Sequence, residues 1–308
     1  MPSSQPPRSA HFADRLLARV RSLGHPLCLG LDPHLPLIPP LFRHENMEPH
    51  HPATAEHVVR FLCAVLERYE GHVAVVKPQV AFFEQMGASG FAALEKVIAR
   101  ARELDMLIVL DAKRGDIDST AQAYAHSLAP ESPLHSDAIT VHPYLGRDSI
   151  EPFTHAAETY GGGVFVLVKT SNPGAADLQD LTCGGRRLFE HVARMLAPSC
   201  ERLRGSCGWS SLGVVVGAHH TEDAIRIRQL LPHALFLVPG FGAQGADARA
   251  AVAGFVPGPS GREGGIVNSS RALLFPPGSH TDDLATWERA IDEARDRAIE
   301  ALRAATRG

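Results

Sequence analysis

Eight short apolar, β-branched runs recur along almost the whole chain, and their even recurrence constrains the fold more than any other feature. They read LCLGLD (27–32), HVAVVKPQ (72–79), LIVLDAK (107–113), AITVHP (138–143), GVFVLVKTS (163–171), LGVVVGA (212–218), LFLVPG (235–240) and GIVNSS (265–270). Continuous apolar runs of this length suit strands buried on both faces, as in parallel sheets. Between them lie helix-like segments, clearest in TAEHVVRFLCAVLERYEG, ASGFAALEKVIARARELD, GRRLFEHVARMLAPSCERLR and HTEDAIRIRQLL. Eight strand–helix units in 308 residues predict an α/β fold, a (β/α)8 TIM barrel. A doubly wound sheet is the alternative, but it would normally use fewer strands.

The whole chain, 1–308, reads as one such domain. Phe12, Leu16, Leu17, Val20 and Leu23 repeat at helical spacing, so an amphipathic helix over about 10–23 is expected to pack on the body. A second helix is expected over about 281–306, either capping the barrel or contacting a partner. Residues 33–53 carry six prolines and read as an extended insertion after strand one. Residues 172–184 and 205–211 lengthen the fifth unit. Within the proline-rich insertion, His44, Glu45, Glu48, His50 and His51 lack a fixed helical spacing, so no metal site is expected.

A net charge of −4 disfavours a nucleic-acid surface, which would cluster excess Lys and Arg. No apolar run approaches the roughly 20 residues of a membrane helix. The N-terminus lacks the apolar core of a secretory signal. Five cysteines (Cys28, Cys63, Cys183, Cys200 and Cys207) without a CxxC pair suit reduced thiols in the cytoplasm.

In a barrel the active site lies where the strands end. Strand one ends in Asp32, strand two in Lys77, strand three in Asp111, Lys113 and Asp116, and strand five in Lys169, Thr170 and Ser171. Acids and lysines therefore gather at one rim. Asp111 and Lys113, at i and i+2 on a strand, are expected to share one face. Asp116 follows Gly115, where a turn can aim it back or outward. Such an array is either an ion-pair network closing the barrel mouth or a fixed field around a substrate whose charge changes during reaction. Carboxylate neighbours suit Lys113 to donate a proton as an ammonium, rather than attack as a Schiff-base amine. After strands seven and eight, the glycine-rich PGFGAQGA (239–246) and the VNSSRALLF segment (267–275), with Ser269, Ser270 and Arg271 at a helix start, offer amides and a guanidinium fork for a phosphate.

At DAKRGDI, with Thr120 four residues after Asp116, the chain resembles the orotidine 5′-phosphate decarboxylase family. GLDP (30–33), VVKPQ (75–79), PGFGAQG (239–245) and NSSRA (268–272) extend the resemblance over about residues 12–280, and the long insertions look like the bacterial type 2 branch. The resemblance implies decarboxylation of orotidylate to UMP and CO2, at the end of pyrimidine nucleotide synthesis, with no cofactor and no metal. It assigns proton donation at C6 to Lys113, and places Asp111 against the substrate carboxylate. Lys77 and Asp32 would hold ribose hydroxyls and Ser171 the pyrimidine edge. The 5′-phosphate would fall to Gln244 and Arg271, with Gly242 in the same glycine-rich turn, the candidate lid. Asp116 and Thr120 would reach the partner's site in a homodimer.

Two histidines stand apart from this pattern. His219 lies where a threonine-like residue is expected, and reads either as a rim residue or, with His220, as loop before a helix capped by Thr221. His142 ends strand four and is a candidate to face the base. Two other functions remain open from sequence. One is a Mg²⁺-dependent sugar-phosphate lyase or decarboxylase on the same barrel, which would want an extra acid where the chain has Lys77-Pro78-Gln79. The other is a catalytically silent nucleotide-binding barrel, which has no need to bury so many charges.

Overall fold

The computed structural model describes residues 11–242 and 247–307. Eight strands are all parallel to their neighbours and close on themselves in chain order. They are β1 (Leu27–Leu31), β2 (Val75–Pro78), β3 (Leu107–Arg114), β4 (Ala138–Val141), β5 (Gly163–Lys169), β6 (Ser210–Val216), β7 (Ala234–Val238) and β8 (Gly265–Ser269). The long helices are α1 (Phe12–Leu23), α2 (Thr54–Tyr69), α3 (Gly87–Glu103), α4 (Asp118–Ala125), α5 (Glu151–Tyr160), α6 (Leu188–Arg202), α7 (Thr221–Leu230) and α8 (Leu284–Arg307). The (β/α)8 barrel expected from the alternating runs is therefore present, and each strand lies within about two or three residues of its sequence run.

Two apolar layers hold it together. One lies between the strands and the outer helices. The other fills the barrel and is continuous with the buried face of α1, where Phe12, Leu16 and Val20 meet Val109, Phe165 and Leu235. Phe12 stands edge-on to Phe165, centroids 6.0 Å apart at 87°. A Cβ on Gly163 would lie 2.3 Å from the Phe12 ring, so only glycine leaves room for the plug. Helix α1 thus seals the N-terminal mouth and leaves the C-terminal mouth open. Asp14 fastens it by accepting from Cys207 N (2.7 Å) and Ser206 Oγ (2.9 Å). Partial burial works against the Asp14 carboxylate, yet these hydrogen bonds prevail and bring its pKa down to about 2.

The proline-rich insertion is not simply extended. It folds into two single 3-10 turns, Leu35–Leu37 and Pro40–Phe42, and buries Leu35, Ile38, Phe42 and Met47. Phe42 wedges between Phe61 of α2 (5.5 Å) and Trp287 of α8 (4.8 Å). Prolines limit the entropy lost on ordering such a strap, and its apolar side chains supply the burial that keeps it folded. Helix α8 packs along the barrel beside α2, and Arg303 Nη2 donates to Leu23 O at the end of α1 (2.9 Å).

Candidate active site

At the open mouth the β3–β4 pairing slips. Leu110 pairs with Ile139, but the next partners are Arg114 and Val141, so β3 carries extra residues in a bulge. Lys113 sits in that bulge at φ +47°, a left-handed backbone unusual for a lysine. Asp111 and Lys113 do converge, as the sequence suggested, but through the bulge and not through regular pleating. Thr140 supports the bulge from β4. Its Oγ1 accepts from Lys113 N (2.9 Å) and donates to Asp111 Oδ1 (2.9 Å).

Asp111 is the hub. Its Oδ1 lies 2.6 Å from Lys113 Nζ, and its Oδ2 lies 2.6 Å from Lys77 Nζ and 3.0 Å from Gln79 Nε2. Lys77 Nζ also faces Asp32 Oδ1 at 4.0 Å. Burial opposes the charge on Asp111, but the flanking Lys77 and Lys113 ammoniums outweigh it and hold the carboxyl far below the usual carboxylate range. Burial likewise opposes the charge on Lys77, and Asp111 and Asp32 more than compensate, raising its pKa above that of a free lysine. The order Asp32, Lys77, Asp111, Lys113 is thus an alternating row of charges on the floor of the mouth. Asp32 Oδ1 is buried with no hydrogen-bond donor among the described residues, so it is an acceptor ready for a hydroxyl.

Above this floor opens a cavity of about 660 Å³. Thr170, Ser171 and Gln179 line one wall, Pro239, Gly240 and Phe241 another, and Asn268, Ser270 and Arg271 a third. Arg271 opens a helix of a single turn, Arg271–Leu274, so its exposed guanidinium outweighs any helix dipole there. Among the described residues no hydrogen bond or ion pair occupies it. His34, beside Arg271 in the wall, packs edge-on against Phe82 at 4.4 Å. Burial, then the Arg271 charge, push its pKa down against the pull of Asp32.

Of the sequence-derived candidates, Asp32, Lys77, Asp111, Lys113, Ser171 and Arg271 therefore share one cavity. Gly242 (φ +84°) lines an adjoining groove with Ser269 and Arg271 instead. Gln244, with the rest of residues 243–246 of the glycine-rich turn, lies outside the described residues. Asp116 is half-buried, accepts from Ile117 N (2.9 Å) and does not line the cavity of its own chain; Thr120 is exposed on α4.

Three expectations need correction. Lys169 does not face the rim, because the β5–β6 register shifts between Leu167 and Lys169. Its side chain turns outward and is buried against Asp180 (2.5 Å). His142 does not line the cavity; it packs on Gly115, where a Cβ would lie 2.2 Å from Nε2. Of the two readings of His219, the loop before α7 is the one present: His219 is exposed there, and His220 beside it holds Thr170 O at 2.9 Å. Thr221 does not cap α7, which begins at Thr221 after His220 with no side-chain cap. His44, His51 and His57 do cluster, with rings 4.4 and 4.9 Å apart, but hydrogen bonds to Thr54 Oγ1, Ala53 N and Phe42 O engage them.

Sequence reasoning passed over Gln79, Thr140 and His34. Thr140 had a signal, a hydroxyl inside an apolar strand run and fully buried in the fold. Gln79 follows Lys77 by two residues, the spacing that returns a strand side chain to the same face.

The family model for "Orotidine 5'-phosphate decarboxylase / HUMPS family" matches residues 25–276. An orotidine 5′-phosphate decarboxylase of Rhodopirellula baltica is 39% identical over 304 residues, 95% of this chain and 99% of that one. One of Roseiflexus castenholzii is 41% identical over 279 residues, 90% of this chain and 93% of its own. Among solved structures, the OMP decarboxylase of Leishmania donovani superposes with a TM-score of 0.72 at 34% identity, covering 95% of this chain and 98% of that one.

Proposed function

The chain belongs to the orotidine 5′-phosphate decarboxylase family, and on that premise we propose that it converts orotidylate to UMP and CO2 without a cofactor, in pyrimidine synthesis in the cytoplasm. The observation that carries the mechanism is the Lys77–Asp111–Lys113 row beneath an open cavity, with an arginine across it.

The 5′-phosphate binds at Arg271 and the glycine-rich turn, and Asp32 and Lys77 take the ribose hydroxyls. Ser171 meets the pyrimidine edge. This places C6 over the Asp111–Lys113 pair. Breaking the C6–carboxylate bond leaves its electron pair on C6, and the Lys113 ammonium beside it stabilises that charge. Lys113 then gives C6 its proton, CO2 departs, and solvent reprotonates the amine. Asp111 faces the position of the substrate carboxylate, a like-charge contact relieved when CO2 leaves. It also anchors both lysines. Binding at the distant phosphate contributes to closing and ordering the site.

Asp116 and Thr120, turned away from their own cavity, complete the site of a second copy in a homodimer. Mixing inactive D116A and K113A chains tests this: hybrid dimers rebuild one intact site and regain activity, whereas a site made within one chain stays dead. The cytoplasmic assignment draws on five free thiols and on the lack, among the described residues, of a helix able to cross a membrane.

The activity itself is tested by the loss of orotidylate absorbance in EDTA. No turnover there, with Mg²⁺-dependent turnover of a sugar phosphate, would favour the lyase reading of the same barrel. Lys77, holding a cation where that chemistry wants a carboxylate, opposes it. UMP binding without turnover would leave a silent nucleotide-binding barrel.

A further inference from the structure

The segment between β5 and α6 forms a closed loop whose neck is crossed by two successive rungs. At the first, Lys169 Nζ donates to Asp180 Oδ1 at 2.5 Å. At the second, one residue inward from each side, the Gln179 amide grips Thr170 twice. Its Oε1 accepts from Thr170 N (2.9 Å) and its Nε2 donates to Thr170 Oγ1 (2.8 Å). Thr170 Oγ1 in turn donates to Asn172 Oδ1 at 2.7 Å, and Thr170 O is held by His220 Nε2 at 2.9 Å. Ser171 and Asn172, which line the cavity, come directly after these rungs.

The outer rung is rooted in the protein interior at its lysine end, with Asp180 half-buried. Lys169 is only 1% exposed, lies 5.7 Å from the Phe189 ring, and faces Asp223 Oδ2 at 3.8 Å. Arg187, at the far end of the loop, binds that same Asp223 at 2.5 Å and stacks on Phe189 at 4.5 Å. A lysine and a carboxylate buried together, as Lys169 and Asp223 are, are costly unless their geometry is fixed. Here the geometry fixes the loop beside the substrate cavity.

We infer that Lys169 and Gln179 are positioning residues for pyrimidine recognition: their paired rungs hold the β5–α6 loop in its binding shape before substrate arrives, with Ser171 aimed at the base. Neither side chain carries out the chemistry. The inference rests on the decarboxylase reading, which places the base at Ser171.

The test compares UMP with ribose 5-phosphate, which lacks the base, by calorimetry on the full-length enzyme and its Q179A, K169M and K169R variants. Q179A is expected to weaken UMP about tenfold, the scale of one polar contact to the base, and to leave ribose 5-phosphate unchanged. K169M should do the same and raise KM for orotidylate more than it lowers kcat, with K169R recovering part of the loss. Equal losses for both ligands, or none for either, would overturn the inference. If K169M fails to fold, Q179A alone decides. Failure of the decarboxylase reading would look different, because the unmodified enzyme would then not turn over orotidylate.

Discussion

Lys113 Nζ meets Asp111 Oδ1 at 2.6 Å although Lys113 holds a left-handed backbone, φ +47°, within a bulge that breaks the β3–β4 register. A lysine in regular strand geometry would follow the pleat; the bulge re-aims this one into the mouth. Strain of this kind, about 1–3 kcal/mol, persists because Thr140 and the Asp111 contact hold it from both sides.

Asp111→Asn leaves the buried Lys77 ammonium, among the described residues, with Asp32 at 4.0 Å as its one charged partner. Removing one partner of a buried ion pair costs about 3–5 kcal/mol, so thermal unfolding should shift strongly downward. The pH dependence has a definite sign. Because the folded Asp111 pKa is depressed, its stabilisation is fully present above the unfolded carboxyl value, about 3.9, and is lost as pH falls through the folded value. The unmodified protein should therefore lose stability below about pH 4 more steeply than D111N, measured by melting temperature against pH.

Phe12→Ala empties the plug at the closed mouth. Truncating a fully buried phenylalanine costs about 3–5 kcal/mol, and Phe12 is 0% exposed. Denaturant unfolding should show that loss, while kcat stays near normal at a temperature where the variant is folded, because the groups proposed to react lie at the opposite mouth.

Gly30→Ala acts on the site through packing. Its Cβ would fall 1.8 Å from Ser270 Oγ and 3.0 Å from Asn268 Oδ1, so Ser270 must move, and Arg271 follows it in the chain. KM for orotidylate should rise about tenfold or more, with a smaller change for orotidine, which has no phosphate. Steady-state kinetics on both substrates checks this.

The barrel was legible because strand runs and helix faces are local patterns, and closure follows from eight such units. The charged row was legible for a related reason. Asp32, Lys77, Asp111 and Lys113 end strands, and strand ends converge in a barrel. Lys169 shows where that logic fails: Phe165 and Leu167 obey the alternation, but one register shift sends the next lysine into the shell. The bulge at Lys113 and the burial of the proline-rich strap also depend on distant residues, on Thr140 in one case and on Phe61 and Trp287 in the other. No local pattern announces such partners.

The central claim, that Lys113 beside Asp111 is the proton donor of a cofactor-free decarboxylation, is tested most directly by Lys113→Ala assayed in EDTA for loss of orotidylate absorbance, with UMP binding measured alongside. The expected result is metal-independent turnover by the unmodified enzyme and a fall of about a thousandfold or more in kcat for the variant, with UMP still bound. Turnover by K113A within about tenfold of the unmodified enzyme, less than a positioned proton donor contributes, would contradict the account.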